Sequence, residues 1–307
     1  MSTLLKRTAV LLALALAVAA CGNKEEATTT VAPVAASSST PDAAVLASVR
    51  ALRGNDINAL LNAAMPAAEV AKIKADWAKK MTEDPITDED RKKFVEQMTK
   101  VTEPGAEDKL FAELEPQLKK LEAQQAQLPA MIAMGQSFLQ TGVQQNQDFN
   151  EDQKKQLSAM IDAAAKWAQA AKFTDAALAK AAIAAVTKTA RELNLKSLDE
   201  VRALNYEQGM AKAGIAVAGV KQVFAVYGIK IDDWLDSVKA ETTSTTGDSA
   251  KVKVTYTAFD QPFTGEGEMV KVDGKWLGKQ AVDKWQKEQA AASAPPKLST
   301  EPATADK

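Results

Sequence analysis

Apolar residues recur at three- and four-residue spacing from about residue 42 to residue 228, and at two-residue spacing after that. The first period predicts a series of helices. Asp42 is the expected N-cap of a helix over Ala43–Arg53, with Val45, Leu46, Val49 and Leu52 on one stripe and Gly54 as its stop. Asp56 caps a short helix through Leu60 and Leu61, and Pro66 opens a longer one with Val70, Ile73 and Trp77 on one face. Thr87 and the acidic run Asp88-Glu89-Asp90 start a helix expected to turn Phe94, Val95 and Met98 to the core. Pro104 restarts the chain. Leu110, Leu114, Leu118 and Leu121 keep helical spacing through a region expected to break or kink near Pro116 and Pro129, and Met131–Gln144 continues it. Asn150 caps Glu151–Ala171, whose stripe is Leu157, Met160, Ile161, Ala164 and Trp167. Thr174 caps the next helix, with Leu178, Ile183, Val186 and Leu193, and Ser197 with Glu200 forms a capping box. Tyr206–Tyr227 is the most apolar helix.

The second period predicts strands. Ser237–Thr245 alternates, Thr246-Gly247-Asp248 turns, and Lys251–Phe259 places Val252, Val254 and Tyr256 on one face. Gln261-Pro262 is read as the next turn, Phe263–Val272 as a third strand, and Asp273-Gly274 as a two-residue hairpin before Lys275–Gly278. Trp276 is placed over the sheet. Ala281–Ala291 is a last helix using Val282 and Trp285. The expected fold class is therefore α+β, mainly α: a helical body with a small C-terminal antiparallel sheet of three to four strands at about 236–278.

The apolar helix Tyr206–Tyr227 is expected at the centre of one domain spanning 42–292, with Val217 and Val220 inward and Phe224 against the sheet. Gly209, Gly214 and Gly219 along it are read as points of close approach. The five tryptophans, Trp77, Trp167, Trp234, Trp276 and Trp285, are read as core fillers.

The N-terminal stretch departs from both periods. Lys6 and Arg7 precede an uncharged apolar run, Thr8–Ala20, that is too short to span a bilayer and has the length of a signal-peptide core. It ends Val18-Ala19-Ala20-Cys21. This resembles the bacterial lipoprotein signal, in which a small-residue cleavage site stands directly before an invariant cysteine. The resemblance implies removal of residues 1–20 and lipidation of Cys21, and Gly22 in place of Asp points to the outer membrane, facing the periplasm. Cys21 is the only cysteine, so a disulfide within the chain is excluded. Residues 21–41 lack large apolar side chains and read as a flexible tether; 293–307, with Pro295-Pro296, reads as a disordered tail.

Composition narrows the chemistry. The formal charge is −2, which gives no electrostatic footprint for nucleic acid. The chain has no histidine, which removes the histidine-dependent triads, histidine-ligated zinc and the usual general base near neutral pH. No phosphate loop or dinucleotide fingerprint occurs. The alternation Asn146, Asp148, Asn150, Asp152 fails as a calcium loop, since Gln153 and Ala159 stand where Gly and a bidentate Glu belong; it reads as a turn and N-cap. No catalytic, cofactor or metal residue is assigned, and the chain is read as not an enzyme.

GDSAKVKVTY followed by VDGKW is similar to the last strands of cystatin-like and NTF2-like lipoprotein domains, and VRALRGNDINALL to their opening helix. That resemblance implies a curved sheet packed on helices and transfers no site residue. The function expected is a non-catalytic protein-binding or accessory module with an envelope protein partner, held to the membrane through lipid on Cys21. The alternatives are a small-ligand or envelope-polymer binder with an NTF2-like cleft, and a hydrolase using carboxylates alone. A deep apolar pocket favours the cleft reading, and a broad exposed apolar patch favours protein binding.

Overall fold

The structure, a computed structural model, describes residues 39–147 and 149–293. Cys21, the stretches read as signal and tether up to residue 38, Asp148 and the stretch read as a tail from residue 294 lie outside the described residues. The chain runs α1 (Pro41–Arg53), α2 (Ile57–Ala64), α3 (Ala67–Thr82), α4 (Asp88–Thr102), α5 (Ala106–Ala123), a 3-10 turn at Gln125–Gln127, α6 (Leu128–Gln145), α7 (Glu151–Ala170), α8 (Ala176–Leu193), α9 (Leu198–Ala203), α10 (Tyr206–Val226) and α11 (Ile231–Asp236), and then β1 (Lys239–Thr246), β2 (Ser249–Ala258), β3 (Gln261–Val272), β4 (Lys275–Gly278) and α12 (Lys279–Ser293). It is α+β and mainly helical, with a four-stranded antiparallel sheet in the order β1-β2-β3-β4.

The helix starts follow local chemistry. Asp56 accepts from the Ala59 N–H at 2.8 Å, Thr87 and Asp90 close a capping box, and Asn150 with Gln153 closes another. Asp175, not Thr174, caps α8: its carboxylate accepts from the Ala177 and Leu178 N–H groups. α1 begins at Pro41, whose ring pre-sets the helical φ, so Asp42 lies in the first turn and not at the cap. Its Oδ1 accepts from the Thr242 hydroxyl at 2.8 Å and ties the start of the body to β1. Burial pushes the Asp42 carboxyl up, but the hydrogen bonds from Thr242, Thr40 and the backbone together hold it below its ordinary value. α5 continues through Pro116, and the break falls where Pro129 pointed: the chain leaves the helix at the polar Gln124–Gln127 stretch, and Pro129 lies in the first turn of α6.

Strand β2 has every second residue buried: Ala250, Val252, Val254, Tyr256 and Ala258. Their register partners on β3 include Met269 and Phe263, so one sheet face is the core. α1 and α11 pack on β2, α7 packs on β3, and the cluster joins Ala44, Val49, Leu52, Ala163, Leu235 and Trp276 to that face. The opposite face carries Lys251, Lys253, Glu266 and Glu268 in water. The β2–β3 turn sits at Phe259-Asp260, both at positive φ, and not at Gln261-Pro262, which already pair with Ala258 and Thr257. Phe259 takes that backbone conformation, rare for a large side chain, with its ring packed on Trp234, centroids 4.6 Å apart. Asp273 and Gly274 make the tight hairpin their positive φ values require.

α10 packs on four helices, α8, α2, α3 and α11, and Val217 meets the core cluster, but the helix is not covered all round: Val220 and Phe224 are 36% and 40% exposed, and Phe224 is not held against the sheet. Apolar composition says how much surface a helix offers; its neighbours decide how much is taken. The three glycines of α10 do mark close approach: a Cβ at Gly209 would strike Trp77, at Gly214 the Asn55 carbonyl, and at Gly219 the Thr189 side chain. Of the tryptophans, Trp276 alone is fully buried. Trp77, Trp167 and Trp285 are half-buried staples whose indole N–H groups donate to Leu204 O, Tyr227 O and Glu69 Oε2 at 2.7, 2.8 and 2.8 Å.

Candidate functional site: an uncharged helix face

The ionic clusters of the body serve its frame. The buried Lys221 on α10 donates to Leu52 O at 2.6 Å and to Asp232 Oδ1 at 2.7 Å, so it caps α1 and pairs with α11. Arg53 shares Asp232 with it and also pairs with Asp236 on α11. Lys275 donates to the Asn62 and Met65 carbonyls at the end of α2, and burial pushes its ammonium down. Glu107 is clamped by Arg191 through two hydrogen bonds and accepts from the buried Thr187 hydroxyl at 2.8 Å. Arg191, then the backbone and Thr187, pull the Glu107 carboxyl down from 4.5 to about 2. A carboxylate with a depressed pKa stabilises the fold above its unfolded value and loses that contribution as pH falls toward its folded value. The melting-temperature difference between the native chain and Arg191→Met should therefore be largest above about pH 4.5 and shrink as pH falls to about 2; thermal scans from pH 5 to pH 2 check it, and a constant difference would show the pair to be idle.

Among the described residues no group of three or more His, Cys, Asp or Glu side chains stands close enough to hold a metal ion. Two open depressions, of about 580 and 370 Å³, lie along α4, the second also walled by Ala190, Arg191 and Lys196 at the end of α8 and just beyond it. Val95 lines both, and at 44% exposure it is not the core residue its spacing suggested, because α4 buries none of its residues fully. The first depression is walled by α4 residues alone and is open to solvent.

The unusual surface is α6. Helices α6 and α7 pair antiparallel, and α7 in turn lies on β3, so α6 is the outer layer over α7 and the sheet. The middle of the α6–α7 seam is polar: Gln136 and Gln140 both donate to Asp162 Oδ1, at 2.7 and 2.5 Å, and Gln144 donates to Ser158 Oγ at 3.3 Å. Leu128, Ile132 and Val143 are half-buried on the same side. The other side faces water with Met131, Met134 and Phe138, which are 54%, 70% and 79% exposed, and Leu139, at the edge of the seam beside Ile132, is 55% exposed. A surface helix ordinarily turns its large apolar residues inward. Here half of them point out, together on the order of 500 Å² of apolar surface, the size at which a patch on a monomer is commonly functional. Gly135 and Gly142 share that side, and nothing lies within 4 Å of a Cβ built on either.

Charge marks the same place. No Asp, Glu, Lys or Arg occurs from Ala123 to Gln147 in a chain that is 25% charged. That run is the signal that apolar spacing alone passed over, since both sides of α6 carry apolar residues at helical intervals. Cys21, the one site residue the sequence singles out, lies outside the described residues. No protein-family model, curated protein or solved structure matches the chain.

Proposed function

We propose that the chain is a lipid-anchored envelope protein, held through Cys21 on the outer membrane and facing the periplasm, that works as a non-catalytic protein-docking module. The anchor rests on the Lys6-Arg7, apolar run and Ala19-Ala20-Cys21 sequence. The docking role rests on one observation, the exposed and uncharged face of α6 with Met131, Met134, Phe138 and Leu139. Met and aromatic side chains in such a patch make adaptable contact area, and the absence of charge removes the desolvation cost that would oppose burial. Open depressions beside α4 give the small-ligand reading less support than this face gives docking.

A photo-crosslinking residue at position 134, introduced in intact cells, should give a discrete crosslinked species, and the same residue at position 253 on the solvated sheet face should not. Equal products at both positions would remove the assignment. Cys21→Ser should separately release the chain from the membrane fraction, since a serine hydroxyl does not take a thioether-linked lipid; a variant that still fractionates with the outer membrane would refute the anchor.

A further inference from the structure

We infer that the partner for the α6 face is a second copy of this chain, its α6 antiparallel to the first across a two-fold axis. This rests on the reading of α6 as the docking face. Three observations carry it. The first is the arrangement of large and small residues. At about 100° per residue, Met131, Met134, Gly135, Phe138 and Gly142 fall within one arc of about 100°, with Leu139 about 40° beyond it at the edge of the seam. They are also symmetric about a point between Gln136 and Ser137: Phe138 and Gly135 stand equally far from it, and so do Met131 and Gly142. A two-fold axis through that point sets Phe138 of each copy over Gly135 of the other, and Met131 over Gly142, so one operator seats each of these knobs on a glycine. Both glycines are open, with no atom of the chain filling the place of a side chain.

The second observation is charge. Because the run Ala123–Gln147 carries none, two identical faces meet without repulsion, and no oppositely charged partner is called for. The third is area. On the order of 500 Å² from each copy brings the buried total to about 1,000 Å², the lower bound of a specific interface. The dimer is therefore weak in solution, and confinement of both copies to one membrane surface favours it.

The test uses the chain from Gly22 onward, which keeps every described residue and contains no cysteine. Sedimentation equilibrium should show a mass rising toward twice the monomer with concentration. Gly135→Leu with Gly142→Leu fills the holes and should weaken association tenfold or more while leaving the melting temperature unchanged or higher, since both sites are open helical positions. Met131→Cys and Gly142→Cys chains should form a disulfide dimer when mixed and oxidised. Neither should do so alone, because the axis separates like positions by about 16 Å along the helix, beyond disulfide reach. A chain that stays monomeric to about 1 mM, or like-with-like disulfides as fast as mixed ones, overturns the two-fold pairing. If position 134 in cells then still crosslinks to a different protein, the docking reading stands and only the identity of the partner falls.

Discussion

Trp276→Ala is expected to cost about 3–5 kcal/mol of stability, the largest loss from any single truncation considered for this chain. The indole is 4% exposed, sits on β4 in the main core cluster, and meets α1 and α2 residues across the sheet. Nothing on the short strand β4 can move in to fill the space, because Lys275 is pinned to the end of α2 and Leu277 is itself fully buried. At about 2–4 °C per kcal/mol for a body of this size, the melting temperature should fall by roughly 6–20 °C. A change under about 3 °C would mean that the sheet does not share its core with α1 and α2.

Lys221→Ala should cost about 2–3 kcal/mol, less than the 3–5 of a fully buried pair because Asp232 reaches water. The substitution takes the charged donor from the Leu52 carbonyl, which keeps the Asn55 N–H at 3.1 Å, and leaves Asp232 facing α10 with Arg53 as its remaining cation. Lys221→Met keeps the packing of the stem and should recover only part of the loss, since the greater share belongs to the charge-assisted bonds that the carbonyl and carboxylate lose. Chemical denaturation of the two variants against the native chain checks this. Full recovery by Met would assign the role of Lys221 to packing alone.

These two residues also show what the sequence makes legible. Trp276 follows Asp273-Gly274 within a period-two run, so both the hairpin and the burial are readable from local chemistry. Lys221 reads as the polar flank of an apolar helix, and only the tertiary arrangement reveals that the end of α1 and the start of α11 converge on it. The same limit applies to α10: Val220 and Phe224 look like core residues until the structure shows its neighbours covering other sides of the helix. On α6, Met131, Met134 and Phe138 are as apolar as Leu128, Ile132 and Val143, and periodicity cannot say which side a neighbour covers. The charge-free run could have pointed to this helix without a structure. Which face stays open depends on Gln136 and Gln140 reaching Asp162 on α7, a contact between residues whose pairing no local pattern encodes.

The α6 face carries the functional account, and Phe138→Asp tests it most directly. Phe138 is 79% exposed, so a carboxylate there costs the isolated chain almost nothing, while burying that charge in an apolar contact is strongly unfavourable. The account predicts a melting temperature within about a degree of the native chain, together with loss of the species crosslinked from position 134 in intact cells. An undiminished crosslink in the folded variant would contradict it, as would a collapse in stability showing that Phe138 is packed inside the chain.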